Sequence, residues 1–170
     1  MIEASLEICP DCKVALPPVR GGGHAYLGAS PSCWALYGQV LAREYASPEL
    51  MRVHRLTVDA YAAQHPGQPE RRSIQSVWIH LSSLYLALDR GVSHDFARRV
   101  ISSLTALREP LAWLEPPESL GNVTVIQAYE ATDPVEHRAV IRQWAESVWA
   151  AWKPHRQTIA MLADRAAYRL

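Results

Sequence analysis

Three cysteines, Cys9, Cys12 and Cys33, stand near the start of the chain, and none follows them. The first two form Cys9-Pro10-Asp11-Cys12. Two intervening residues let one tight turn aim both sulfurs at a single ion, which supplies two of the four ligands of a closed tetrahedral zinc site. Cys33 offers a third. Its surroundings, Ser30-Pro31-Ser32-Cys33-Trp34, read as a helix start with Ser30 as N-cap and Pro31 at the first helical position. A thiolate in a first turn is stabilised by the helix dipole and by free amides, which suits a ligand. The fourth ligand is expected to be a histidine. His24 follows the flexible run Gly21-Gly22-Gly23 and is the first choice; His65 is the alternative ligand.

A second set of histidines lies among apolar residues. His54, His155 and, at the edge of its face, His80 fall on or near the stripes that helices bury. One reading makes each a core histidine, satisfied by a backbone carbonyl, Tyr61 or Gln75. The other gathers them between helices as metal ligands or acid–base groups, with Tyr61 as donor and the 109–121 loop as lid. His54 and His65 cannot share an ion, since a helix carries them about 16 Å apart. His94 and His137, in first helical turns, are expected to be solvated. Trp144, Trp149 and Trp152 recur at helical spacing and read as core.

The elements that must position these residues are helices. Trp34, Tyr37, Leu41 and Tyr45 mark one face of a helix beginning at Pro31. Ser47-Pro48 opens a second, with Leu50, His54, Val58, Tyr61 and His65 on its face, stopped by Pro66-Gly67. Ser73 opens a third that buries Ile74, Val77, Trp78, Leu81, Leu84, Tyr85 and Leu88 and ends at Gly91. Ser93 caps a fourth that packs Phe96, Val100, Leu104 and Leu107. A loop from Glu109 to Gly121 precedes a short helix capped by Thr124. Asp133-Pro134-Val135-Glu136 is a capping box with proline at the first position. Its helix buries Ile141, Trp144, Val148 and Trp152, then meets Pro154, where a kink is expected before Ile159, Leu162 and Ala166 continue the stripe. Short connections make neighbouring helices antiparallel, so the second returns His65 to the end where Cys33 lies. No alternating strand pattern is found. The fold is predicted to be all-α for the most part: a bundle of about five to six helices over 34–170, with an irregular zinc-knuckle segment, 1–33, packed on it in one domain spanning 1–170.

Composition narrows the role. The chain has 170 residues, 17 basic and 17 acidic, so it lacks the basic surplus of a dedicated nucleic-acid binder. No apolar run approaches the ~20 residues of a membrane span, and the start of the chain has neither the basic nor the apolar region of a signal peptide. An odd number of cysteines without a secretion signal implies reduced thiols and a cytoplasmic protein. Phosphate-cradling glycine motifs, a serine elbow and a histidine–glutamate zincin motif are all absent.

Taken together, Cys9-Pro10-Asp11-Cys12, His24-Ala25-Tyr26, Ser30-Pro31-Ser32-Cys33-Trp34, the run from Val53 to Gly67, Gln75-Ser76-Val77, Trp113-Leu114-Glu115-Pro116-Pro117 and the run from Val148 to His155 resemble a family of uncharacterised bacterial proteins. The resemblance covers nearly the whole chain and brings no catalytic residues with it. It implies that His24, His54, His65, His80 and His155 are positions of the family pattern. Lys13 departs from that pattern, which often has glycine there. Two functions compete: a binding or adaptor module with structural zinc, acting on a protein or small molecule, and a metal-dependent enzyme with a histidine-lined site, by analogy with DinB-like four-helix bundles.

Overall fold

Ser30 and Pro31 start the first helix in the computed structural model, which describes residues 5–106 and 110–170. Ser30 Oγ accepts from Cys33 N at 3.2 Å, and α1 runs Pro31–Tyr45. A 3-10 turn, Leu50–Arg52, leads into α2, His54–Gln64. α3, Arg71–Leu84, widens into a π-helical turn, Tyr85–Asp89, and the chain reverses at Gly91 with φ +57°. α4 is His94–Ala106, with Ser93 Oγ accepting from Phe96 N at 3.3 Å. Thr124 and Gln127 form a reciprocal capping box for α5, Val125–Glu130. Asp133 accepts from both Val135 N and Glu136 N to start α6, Pro134–Ala151. A 3-10 turn, Lys153–His155, precedes α7, Arg156–Tyr168. Among the described residues no helix is long and apolar enough to cross a membrane.

α2 is the axis of the bundle. It packs against α3, α6 and α1, while α4 and α7 form an outer pair on α3, and α5 covers α1. From Ala60 to Gln64 every residue of α2 is buried. Tyr61, Leu81, Ile141, Trp144, Val148, Trp152 and Ile159 fill the centre. The tryptophans are core, as their spacing implies, and each indole N–H is matched: Trp144 to Gln64 Oε1 at 2.9 Å, Trp149 to Asp89 Oδ1 at 2.9 Å, Trp152 to Ala63 O at 3.0 Å.

The mostly helical fold stands, with differences in detail. There are seven α-helices among the described residues, because Pro154 breaks the last long helix instead of kinking it. α7 then leaves the line of α6 and packs on α4 and α3. Ser73 does not cap α3. It is buried, and its Oγ donates to Tyr26 O at 2.9 Å, tying the N-terminal segment to the bundle. The buried face of α1 is Cys33, Tyr37, Val40 and Glu44, one position away from the expected stripe, and Tyr45 is exposed. Two short strands also exist: β1, Glu7–Ile8, and β2, Ala15–Leu16, pair antiparallel with Glu7 opposite Leu16. At two residues each they are too short to carry an alternating pattern. Leu107 and Glu109 lie outside the described residues. From Pro110 on, the expected lid is a packed segment: Ala112 O accepts from Trp78 Nε1 at 2.7 Å, and Leu114 and Leu120 are buried.

The shift of the α1 face has a polar cause. Glu44 is fully buried and its carboxylate accepts from His54 Nδ1 at 2.7 Å, His137 Nε2 at 2.9 Å and Thr57 Oγ1. One side chain thereby joins α1, α2 and α6. His137, expected to be solvated, is fully buried for this reason, whereas His94 is exposed. Removing the carboxylate strands the buried His137 and Thr57 donors, so Glu44→Ala is expected to lower unfolding stability in urea by about 3–5 kcal/mol. His54→Ala is expected to cost less than His137→Ala, because water can replace the half-buried His54 ring but not the enclosed one.

Candidate metal centre

Cys9, Cys12, Cys33 and His65 place one ligand atom each within 4.8 Å of one another. Among the described residues no other group of three or more histidine, cysteine, aspartate or glutamate side chains is gathered in this way. Cys12 Sγ lies 3.8 Å from Cys33 Sγ, and Cys33 Sγ lies 3.4 Å from His65 Nε2. The three cysteines are free thiols. The sulfur separation is far beyond the ~2.05 Å of a disulfide. Cys9, Cys33 and His65 are buried and Cys12 is half-buried, so the set opens toward solvent only at Cys12.

Each ligand is positioned by a local device. β1 and β2 close a hairpin whose turn is Cys9 to Val14, with Cys9 N donating to Val14 O at 2.8 Å and Lys13 N to Cys9 O at 3.1 Å. That turn requires a left-handed residue after the second cysteine, and Lys13 fills it with φ +64°. The geometry accounts for glycine being usual at this position, since a Cβ in that region costs ~1–2 kcal/mol. Cys9 Sγ accepts from Ser30 N at 3.4 Å, which turns the N-terminus of α1 toward the sulfur. Cys33 occupies the first turn of α1 and also receives the Tyr61 hydroxyl at 3.5 Å. His65 ends α2; its Nδ1 donates to Tyr61 O at 2.7 Å, which fixes the tautomer and aims Nε2 at the thiols.

Hydrogen bonds around the four side chains tie these pieces together. Asp11, between the paired cysteines, accepts from Gly67 N at 2.8 Å, while Asp11 N donates to Gly28 O at 3.2 Å and Gly28 N to His65 O at 3.4 Å. The approach is tight enough to require glycine: a Cβ on Gly28 would fall 2.0 Å from Asp11 Oδ2. Gly67, with φ +74°, would bring a Cβ to 2.4 Å from Tyr26 O. Knuckle, residue 28 and the turn after α2 are thus one interlocked unit.

Crowding couples the ionisations. Hydrogen bonds from Cys12 and Cys33 hold the Cys9 thiol well below its ordinary range. Hydrogen bonding with Cys12 and Cys9, together with burial, pushes Cys33 up. Burial works to lower the His65 imidazole, but Cys12 and Cys9 outweigh it and the group is pushed up to about 9. Burial also pushes the Asp11 carboxyl up, against the Gly67 N–H that pulls it down, and raises the Tyr61 hydroxyl. A metal binds thiolates and a neutral imidazole nitrogen, so binding here would release protons.

The remaining sequence candidates are elsewhere. His24 is outside the group. Its Nδ1 accepts from Tyr26 N and Leu27 N, both at 3.3 Å, and its ring packs on Tyr26 and Trp34, so it shapes the turn that leads to α1. His65 occupies the corner expected for it, because α2 returns antiparallel to α1. His54, His80 and His155 do not share a site. His54 bonds Glu44, His80 Nδ1 donates to Asp59 Oδ1 at 2.7 Å, and His155 Nε2 donates to Glu115 O at 2.8 Å. Tyr61 lies with the cysteines. The partners of the histidines were missed, and Gln75 is exposed. Glu44 lies on the helical face of Cys33, Tyr37 and Val40, and Asp59 begins the buried run 59–66; a charge in either place calls for a partner.

A family model matches residues 7–153, from two residues before Cys9 to the end of α6 and the turn beyond it. The chain belongs to the family of unknown function DUF5946. The match includes all four gathered side chains and stops short of α7. No curated protein and no solved structure shows significant similarity to the chain.

Two outcomes are expected from the residues around the four side chains. Asp11→Ala removes no ligand, yet should weaken metal affinity about 10–100-fold in a cobalt(II) titration followed by thiolate-to-metal absorption. Lys13→Gly relieves the left-handed residue and should raise unfolding stability by about 0.5–1 kcal/mol, the steric relief being partly offset by the entropy of glycine.

Proposed function

We propose that the chain is a zinc protein in which Cys9, Cys12, Cys33 and His65 hold one structural ion, and that the helical bundle so stapled acts as a binding or adaptor module. The observation that supports this is the spacing of the donors. In a tetrahedral site with Zn–S of ~2.3 Å and Zn–N of ~2.0–2.1 Å, neighbouring sulfurs lie about 3.8 Å apart and a sulfur and nitrogen about 3.5 Å apart. The corresponding separations here are 3.8 Å and 3.4 Å. Three thiolates and one imidazole are soft donors that favour zinc over calcium or magnesium, which take oxygen ligands. Four protein donors leave no open position for a substrate, which is the mark of a structural site.

The ion would close a loop between the hairpin and the α1–α2 end of the bundle. It would add to the hydrogen bonds that already tie the described part of this segment down: Gly67 N to Asp11, Ser73 Oγ to Tyr26 O, Ser32 N to Glu7 at 2.9 Å and Ser32 Oγ to Pro17 O at 2.8 Å. The enzyme reading needs His54, His80 and His155 in one place, and their separate partners argue against it. A cytoplasmic, reducing location suits a centre made of three thiols. The partner class that fits a module without a basic surplus is a protein or a small molecule.

Elemental analysis of the purified protein tests this directly. One zinc per chain is expected, lost in Cys12→Ser and in His65→Ala and retained in His24→Ala and His54→Ala. Chelation should unfold the N-terminal segment and lower Tm. A protein without zinc, or one whose Tm is indifferent to chelation, would contradict the reading.

A further inference from the structure

A cavity of about 180 Å³ opens between α2, α3 and α4, lined by Arg55, Ser83, His94, Ala97, Arg98 and Ile101, with Ser102 at its edge. It is far from the metal centre along the chain's axis: Arg55 stands in the first turn of α2 and His65 just beyond its last, which separates them by about 15 Å. We propose that this cavity is a binding site for a small phosphate monoester, with Arg55, Arg98 and His94 as the groups that recognise the phosphoryl oxygens.

The first argument is the state of Arg55. Its Nε donates to Asp59 Oδ2 at 3.0 Å and to Ser83 Oγ at 3.2 Å. Asp59 is fully buried and is further held by His80 Nδ1 at 2.7 Å and by the Ser83 hydroxyl. The Nε edge of the guanidinium is therefore clamped, in a side chain that lines the cavity. A donor immobilised before binding loses little entropy when the ligand arrives.

The second argument is charge. Arg98 and His94 come from α4, on the opposite wall, and neither has an ion-pair partner among the described residues. No carboxylate lines the cavity; Asp59 lies behind it and is occupied by three donors. The whole chain is neutral, 17 basic residues against 17 acidic, so the pairing of Arg55 and Arg98 on one cavity is a local feature and not a consequence of overall charge. Arg55 is balanced by Asp59, whereas Arg98 has no ion-pair partner among the described residues, so an anion in the cavity would meet an uncompensated guanidinium.

The third argument selects the ligand. Both serine hydroxyls are already committed, Ser83 to Asp59 and Ser102 to the Arg98 carbonyl at 3.0 Å. Recognition thus rests on donors from two walls, which suits the three terminal oxygens of a phosphoryl group better than the two coplanar oxygens of a carboxylate. The volume is below the ~300–1,000 Å³ of sites for drug-sized molecules, so the ligand is compact. Ala97 and Ile101 form an apolar strip between His94 and Ser102, one helical face at three- and four-residue spacing, against which a short carbon chain can lie.

The test titrates the full-length protein with propyl phosphate, inorganic phosphate and butyrate, read by calorimetry and by amide shifts in nitrogen-15 spectra. Propyl phosphate should bind saturably with Kd of ~1 mM or tighter, perturbing amides of α4 and the start of α2, and butyrate should bind at least ten-fold more weakly. Arg98→Gln and His94→Ala remove exposed groups that support no packing; each should raise Kd about ten-fold with the circular dichroism spectrum unchanged, and Arg98→Glu should abolish binding. If inorganic phosphate binds as tightly as the monoester, the phosphoryl site stands and the carbon chain plays no part. Absence of saturable binding, butyrate binding equal to propyl phosphate, or affinity unaltered by Arg98→Gln and Arg98→Glu would each overturn the proposal.

Discussion

Helix α2 carries polar side chains into the centre of the molecule, and the rest of the fold is arranged to satisfy them. Thr57 and His54 meet Glu44 of α1; Asp59 meets His80 and Ser83 of α3. Gln64 Nε2 donates to Leu120 O at 3.1 Å and Val123 O at 2.8 Å, and its Oε1 accepts from Trp144 of α6. His65 is enclosed by three thiols and a carbonyl. A buried polar group without a partner costs roughly 1–3 kcal/mol, a large fraction of the stability of a domain. Purely apolar packing tolerates rotation of a helix by a residue; this set of matched pairs does not. The partners come from α1, α3, α6, the 120–123 segment and the cysteine hairpin, so α2 specifies where each must lie.

That constraint explains how a candidate metal site can be assembled from residues so distant in sequence. Two of the ligands belong to a hairpin of minimal size, which alone would not hold its shape. The other two stand on α1 and at the end of α2, whose antiparallel contact is fixed by the stacked Tyr37 and Tyr61 rings, 3.7 Å apart, and by Glu44 one end further on. The bundle presents Cys33 and His65 as a rigid half-site, and the knuckle docks on it through Asp11 and Gly67. Precision is thus supplied by helices and adaptation by the hairpin, the division that lets a weakly structured segment adopt one geometry.

Much of this was legible in the residues. Cys9, Cys12 and Cys33 announced themselves by type and clustering, and the caps at Ser30, Thr124 and Asp133 are where local chemistry places them, because a cap depends on only three or four consecutive residues. Facing is harder. The α1 stripe read as Trp34, Tyr37, Leu41 and Tyr45 because apolar character was the only available guide, yet the buried face ends on Glu44, a residue that goes inside only when histidines on two other helices meet it. His137 was misread for the same reason: burial in a first helical turn depends on a partner 93 positions away. The choice between His24 and His65 needed the path of the chain. His24 follows a flexible glycine run close to the cysteines, whereas the antiparallel return of α2, readable from the order of the helices, is what gathers His65 with them.

The two ends of α2 differ in a way that bears on what the metal centre is for. At its C-terminal end all donors point inward at one another, and Tyr61, Trp34 and the interlocked turns exclude water from three of the four. At its N-terminal end Arg55 is held by a buried carboxylate yet turned toward an open cavity. A centre that stabilises needs closure, and a site that recognises needs anchored groups facing outward. One rigid helix supplies both, and its buried middle keeps them about three turns apart. On the proposed reading, an ion at one end would hold the fold while a ligand at the other is bound without touching it. This separation explains why the polar groups along α2 are matched so completely: any slack between Asp59 and His65 would be felt at both ends.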